Sequence, residues 1–388
     1  MNTSQSENVE MTLTENISNI AKQVDTRQFA KILYPLEEII FIVIFGNIVC
    51  GENVYDFLTH ASYNLAFLRE YYPYENGIPS KNTVYRALQL IKPEYMEFLL
   101  QCMKRDLNPY HIAFDGQCQK GSKRCTGLSV GRYIVSALDI SNGISFMQAM
   151  VDEKSNEIPI VASLLKQIDL NNKIITVDSL NTQVKNTKTI IEGHGNYLFP
   201  LKLNHGLLYE AIEYFFVTQN ASHHIKNRKD PNEYCKIMEI RSSKLETKEC
   251  FVADIDELTD IKEQIKKDGW VGVKQIVMIV HHSSDPLKSD EIRFFIASVK
   301  QSAEEHVNLV REHWKIETMH QYLDVVFKED ACMVSNTNAV QNLNIIRKTV
   351  LSLMLKYKNK YDMNCSIKRL RSMFTYDKEM RKQLIDLY

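Results

Sequence analysis

A chain of 388 residues, 44% hydrophobic and 24% charged, is long enough for two or three domains with sizeable cores. Its net charge of −1 excludes a uniformly basic nucleic-acid binder, so any polynucleotide partner would need local basic surfaces. The longest apolar run, Ile39 to Phe45, falls well short of the roughly 20 residues of a membrane span, and no basic-then-apolar leader is seen, so a cytoplasmic protein without a membrane partner is expected.

In chain order, residues 1–25 are rich in Asn, Ser, Thr and Glu and are expected to be a poorly ordered tail. Residues 26–105 read as a small all-α domain. Leu36 to Cys50 is an apolar helix, and Val54 to Tyr71 is a second. Asn76-Gly77-Ile78-Pro79-Ser80 is a turn leading into a third helix, with Ser80 as N-cap and Val84, Ala87, Leu88 and Ile91 at helical spacing. Its other face carries Lys81, Asn82, Thr83 and Arg86. A capped helix with polar side chains in its first turn suits either an ordinary surface helix or a helix-turn-helix recognition element.

From His111 the pattern turns to strands. His111–Asp115, Arg132–Asp139 and Ile144–Val151 are β segments, the last two joined by an Asn142-Gly143 hairpin signal. Ile158–Ile168 is helical, Lys173–Asp178 a strand, Thr182–Glu192 a helix and Gly195–Leu201 a strand. Three strands, helix, strand, helix, strand is the order of a ribonuclease-H-like α/β core, here assigned to residues 106–345. A β-rich insertion is expected from about 206 to 300, with strands at Cys235–Arg241, Glu249–Asp254, Gln275–His281 and Ile292–Val299. Helices follow at Ala303–Phe327 and Ala339–Lys356. Residues 346–388 form a basic helical segment, with eight Lys or Arg and one acid between Arg347 and Arg371. The eight cysteines include no CxxC pair, which favours free thiols over a zinc site.

Two acids stand at predicted strand ends, Asp115 in Ile112-Ala113-Phe114-Asp115-Gly116 and Asp178 in Ile174-Ile175-Thr176-Val177-Asp178. If these strands are neighbours, both carboxylates enter one crevice at the end of the sheet. Their mutual repulsion would be relieved by a cation, and hard oxygen ligands favour Mg²⁺ or Mn²⁺. In the helix that follows, Ile316, Met319, Leu323 and Val326 form an apolar stripe. His313, Glu317, His320 and Asp324 form a polar one beside it, which could aim Glu317 at the same crevice. Glu317-x-x-His320 also fits half of a di-iron carboxylate site, but no second Glu-x-x-His exists, nor an HExxH motif.

Taken together, these stretches resemble the DDE transposases of insertion sequences of the ISAs type, the H-repeat-associated proteins. The shared segments are Ile112–Gly116, Val151–Ile158, Ile174–Asp178 with Gln183, Tyr197–Lys202 with Asn204, Arg293–Ser298, His313–Glu317 with His320, and Leu323–Ala331. Tyr34-Pro35-Leu36 and Asn76–Ser80 resemble the helical domain that precedes the catalytic one. The resemblance implies Asp115, Asp178 and Glu317 as catalytic acids and metal ligands. Asp115 would be common to two Mg²⁺ or Mn²⁺ ions, and Asp178 and Glu317 would each complete one. It implies double-stranded DNA as partner, contacted by Lys120, Lys123, Arg124, Lys202, Asn204, His313 and His320, with Lys81 and Arg86 in the N-terminal domain. Because two DNA ends must meet, a homodimer associated with the nucleoid is expected. The sequence departs from the family at Gln117, where Lys is usual, at Lys120 for Arg, at Leu203-Asn204-His205 for Gly-Asn-Gln, and at Thr318 for Asn. His313 and Asp324 stand where the wider group has Arg and Lys. A transposase-derived DNA-binding protein without catalysis is therefore the alternative reading.

Overall fold

The structure is a computed structural model that describes residues 11–28, 31–103, 108–121, 132–151, 157–241, 244–283 and 289–388. Helix α1 (Leu13–Val24) corrects the expectation of a disordered start. Thr12 and Glu15 form a capping box, and Leu13, Ile17, Ile20, Ala21 and Val24 are buried, so the polar composition belongs to one face only. Helix α2 (Leu36–Ile48) is apolar all round and is buried on every side. The helix expected from Val54 to Tyr71 breaks at Asn64, giving α3 (Val54–Tyr63) and α4 (Leu65–Leu68). Helix α5 (Lys81–Leu90) starts where the sequence places it, the Ser80 hydroxyl accepting from the Thr83 amide at 3.3 Å. Helix α6 (Pro93–Met103) follows, with Pro93 at its first turn, where no amide donor is needed.

Strands β1 (His111–Gln119), β2 (Arg132–Asp139) and β3 (Ile144–Val151) form an antiparallel meander. Gly143, at φ +68°, makes the β2–β3 turn, a conformation that glycine adopts without strain. Helix α7 (Glu157–Leu165) leads to β4 (Ile174–Val177), which lies parallel to β1. Helix α8 (Val184–Glu192) leads to β5 (Asn196–Leu201), parallel to β4.

Next come α9 (Gly206–Glu213), continued by a π-helical turn at Tyr214–Thr218, and α10 (Ala221–Arg228). Strands β6 (Tyr234–Arg241) and β7 (Lys244–Asp254), helix α11 (Thr259–Asp268), and strands β8 (Gln275–Ser283) and β9 (Glu291–Ala297) complete this stretch. It is not a separate layer. Strand β9 pairs with β5, Leu198 opposite Ala297, and carries β8, β7 and β6 onto the same sheet. Among the described residues the order is β3-β2-β1-β4-β5-β9-β8-β7-β6. The pairing satisfies the row of amides and carbonyls that β5 would otherwise expose.

Both faces of the sheet are covered. On one face Phe114, Ile175, Val177, Phe199 and Ile296 pack with residues of α7 to α11. On the other lies α12 (Ala303–Gln321), extended by a π-helical turn at Tyr322–Val326. Its N-terminal half packs Val307 against Ile174, Leu198 and Phe295. Its C-terminal half brings Ile316, Met319 and Leu323 to Ala113 and into the helical core.

Helices α13 (Thr337–Lys360), α14 (Ile367–Tyr376) and α15 (Lys378–Ile385) close the chain. They share one apolar core with α1 to α6. The basic C-terminal segment expected from sequence is therefore only partly a cationic surface, with Lys360, Lys368 and Arg369 exposed. Arg347, Lys348, Arg371 and Arg381 are buried. The Arg371 guanidinium donates to the carbonyls of Asn47, Gly51 and Val326, satisfying acceptors at the end of α2 and in the π turn after α12. No helix among the described residues is long and apolar enough to cross a membrane.

Candidate active site

Alternation along β1 and β4 puts Ala113, Asp115 and Gln117 on the same face as Ile174, Thr176 and Asp178. The parallel ladder between these strands ends at Phe114 opposite Val177, and each acid follows one residue later. The sequence placed Asp115 at a strand end, but β1 runs on to Gln119. It is β4 that stops, and its ending opens the crevice beside Asp115. The Asp178 carboxylate accepts from the Asn181 amide and from Asn181 Nδ2, both at 2.9 Å, which fixes it at the head of the turn after β4.

Helix α12 crosses above these strand ends. Glu317 and Asp178 line one cleft of about 710 Å³, together with Thr176, Lys202, Asn204, Arg293, His313 and Trp314. Burial raises the Glu317 carboxyl above its ordinary range, and the negative charge of Asp115 adds to this. For Asp115 burial is the largest single influence and acts in the same direction, but the hydrogen bond with His320, the charges of His320 and His313 and the Gly116 amide together outweigh it and hold the carboxyl low. His320 Nδ1 lies 3.4 Å from Asp115 Oδ2. The three sequence-selected acids thus share one neighbourhood on one face. Among the described residues, no three His, Cys, Asp or Glu side chains form a ready-made metal cluster.

The expected DNA contacts divide. Lys202 and Asn204 are exposed at the lip of the cleft, on a turn held by His205, whose Nδ1 accepts from the Lys202 amide at 2.9 Å. Lys81 and Arg86 are exposed on α5. Lys120 is exposed but already paired with Asp330 at 2.7 Å. His313 and His320 face protein atoms, Thr176 and Asp115. Lys123 and Arg124 lie outside the described residues.

The sequence reading missed that His111, Thr176 and Glu312 join His313 in a second set of polar groups. His111 Nε2 and His313 Nδ1 each lie 2.8 Å from Thr176 Oγ1, and His111 Nδ1 lies 3.6 Å from Glu312. Thr176 could have been found by stepping back two residues from Asp178, since that period keeps a side chain on one face. Arg293 was also missed as part of the cleft. Its guanidinium sits 5.5 Å from the Trp314 ring centre and is held by Glu291.

The sequence profile of the transposase DDE domain matches residues 106–353, and a DDE_Tnp_1-associated profile matches residues 17–102. The chain belongs to the DDE transposase family. Among its relatives, the Escherichia coli (strain K12) protein YbfL is 30% identical over 354 residues, covering 88% of this chain and 90% of its own. The H repeat-associated protein YhhI of the same strain is 29% identical with the same coverage. A third, the H repeat-associated YbfD, is 30% identical over 64% of this chain and 96% of its own. The piggyBac transposase in its synaptic complex with hairpin DNA superimposes with a TM-score of 0.48 at 12% identity, over 95% of this chain and 79% of that one.

The departures from the family's usual pattern can be located. Gln117, where Lys is usual, donates from Nε2 to Asp324 Oδ1 at 2.7 Å. Burial, with Asp330 and Glu329 nearby, pushes the Asp324 carboxyl up to about 6. The two atypical residues at 117 and 324 therefore satisfy each other.

Proposed function

We propose that this chain is a DNA transposase that cuts and joins strands of an insertion sequence, using Asp115, Asp178 and Glu317. One observation carries the reading. Two parallel neighbouring strands each present an acid one residue beyond their last pair, under the helix that carries the third. The order β3-β2-β1-β4-β5, antiparallel then parallel, supports an RNase-H-like core for residues 106–345, with the strands from 234 to 297 as its β-rich extension.

The donor set fits a hard divalent cation such as Mg²⁺ or Mn²⁺: three carboxylates, no thiolate, and a Glu317 whose ionisation is opposed by burial and by Asp115. Asp115, Asp178 and Glu317 would hold such a cation. Such ions, when bound, activate an attacking water or 3′-hydroxyl and stabilise the leaving 3′-oxygen. Asn181 holds Asp178 in place, and His320 holds Asp115 ionised. Lys202 and Asn204 bind the DNA backbone at the lip of the cleft, while Lys81 and Arg86 contact the element's ends from the helical domain. Two copies of the chain bring two ends of double-stranded DNA together at the nucleoid.

The test is nicking of DNA carrying the element's ends in Mg²⁺, by wild type and by Asp115→Asn and Asp178→Asn. Loss of a ligand should abolish cleavage and leave DNA binding close to wild type, because affinity comes mainly from phosphate contacts elsewhere. Wild-type nicking by either variant would falsify the assignment. A second reading, a DNA-binding protein derived from a transposase, is favoured by Gln117 and by the engagement of Asp115 with His320. It predicts end binding without nicking by the wild type.

A further inference from the structure

The chain Glu312–His111–Thr176–His313 has a direction that its first member sets. Glu312 is held ionised, at about 2, chiefly by its contact with His111. His111 is buried, and burial keeps its imidazole neutral near pH 7. Its Nδ1 faces the Glu312 carboxylate at 3.6 Å, beyond full hydrogen-bond length. A lone pair there would face another lone pair and be repelled, so Nδ1 carries the single proton. His111 Nε2 is then an acceptor, and at 2.8 Å it takes the Thr176 hydroxyl proton. The Thr176 oxygen, having donated, accepts from His313 Nδ1, also at 2.8 Å. Burial holds His313 neutral as well, at about 4. With its one proton on Nδ1, Nε2 is left as a lone pair on the other edge of the ring. His313 forms part of the wall of the cleft that Asp178 and Glu317 line.

Resting on the reading of this cleft as a DNA-cutting site, we propose that the relay fixes His313 in the Nδ1–H tautomer, so that Nε2 accepts a hydrogen bond from the attacking water or 3′-hydroxyl and orients it. The cleft's carboxylates would be engaged by cations in that reading, which leaves the neutral His313 Nε2 free to accept from the nucleophile. Thr176 and His111 act through His313 and are positioning residues. The geometry also explains a buried His–Thr–His line crossing from β1 through β4 to α12. Side chains serving only to pack there would be cheaper to bury if apolar.

The experiment has two arms. In the first, full-length protein labelled with ¹⁵N-histidine is examined by long-range proton–nitrogen NMR. The His313 signal, assigned by its loss in His313→Gln, should show a protonated Nδ1 and a bare Nε2. Thr176→Val should mix the tautomers, and Thr176→Ser should preserve the wild-type pattern. A protonated Nε2 in wild type overturns the proposal. This arm needs no catalysis, so it can fail while the assignment of the acids stands, and can succeed if that assignment falls.

In the second arm, cleavage of end DNA in Mg²⁺ should slow about 10- to 100-fold in kcat for Thr176→Val, with KM unchanged and the thermal midpoint checked against wild type. Thr176→Ser should restore the rate, and Thr176→Val should add nothing in a His313→Gln background. Additive losses, or ¹⁴N modulation of bound Mn²⁺ by His313, would assign the ring to packing or to the metal and overturn the proposal.

Discussion

Glu329 lies in the segment Phe327-Lys328-Glu329-Asp330 that follows the Glu317 helix, and substituting it should cost far more than its peripheral position suggests. Its side chain is 1% exposed and that of Arg347 is 3%, with Arg347 Nη1 3.0 Å from Glu329 Oε1. Asn344 Nδ2 donates to both carboxylate oxygens at 3.0 Å. Glu329→Gln keeps the shape but leaves a buried guanidinium without its counter-charge. Breaking a buried pair from one side costs about 3–5 kcal/mol, because the remaining charge has neither water nor partner. The exposed pair Lys120–Asp330, one residue along, is the internal control: Lys120 is 71% exposed, and pairs of that kind contribute ~0–1 kcal/mol. The assay is urea denaturation followed by far-UV circular dichroism and by tryptophan fluorescence, comparing wild type, Glu329→Gln, Lys120→Ala and the double variant Glu329→Gln/Arg347→Met. The double variant should regain most of the loss, since an apolar replacement removes the stranded charge. A loss below about 1 kcal/mol in Glu329→Gln would refute the reasoning.

Other outcomes follow from the same structure. Lys348 is buried against Ser136 and Gln148, at 2.7 Å from each, and burial lowers its ammonium to about 7 from 10.5. The unfolded chain keeps that proton up to 10.5, so stability should rise with pH between about 7 and 10.5, by ~1.4 kcal/mol per pH unit from this group. Lys348→Met should flatten that slope relative to wild type in pH-dependent denaturation, and an identical slope would place the proton elsewhere. Lys202→Ala should reduce the slope of log K against log salt by about 0.9 on end DNA, as for one phosphate contact, and an unchanged slope would remove it from the interface. Lys81→Ala/Arg86→Ala should lose footprint on terminal DNA selectively, whereas equal protection of terminal and random DNA by variant and wild type would make α5 scaffolding.

The elements most legible in the sequence were those marked by apolar runs or helical spacing bounded by turn or capping residues. Strands β2 to β5 and helix α5 fall close to their expected bounds, because apolar runs closed by turn residues mark strands covered on both faces and Ser80 caps α5. That Asp115 and Asp178 stand on neighbouring strands was anticipated, since each follows an apolar strand-like run; their catalytic role with Glu317 stays a proposal. Long-range satisfaction of polar groups was not legible. Within the run of cations from Arg347 to Arg371, three turn inward: Glu329, Ser136, Gln148 and three backbone carbonyls receive Arg347, Lys348 and Arg371. The partners of Arg371 lie 45 to 324 residues away in sequence, and no local pattern announces them. Helix α1 was misjudged because its polar composition averages over a buried stripe.

The burial of these cations sharpens the question of how a chain of net charge −1 holds DNA. With Arg347, Lys348, Arg371 and Arg381 withdrawn into the core, the positive charge available to phosphates is smaller than composition implies. Non-specific affinity scales with the number of phosphates neutralised, so it should be weak and easily lost to salt. In the proposed reading, binding draws on a few contacts, Lys202 and Asn204 at the cleft and Lys81 and Arg86 on α5 of the helical core. A DNA segment would have to engage both to be held. If the chain cuts at its own element's ends, as proposed, that requirement would be a source of selectivity. A more basic surface would raise affinity for every sequence alike, whereas sparse contacts spread over two parts of the chain favour DNA that satisfies both at once.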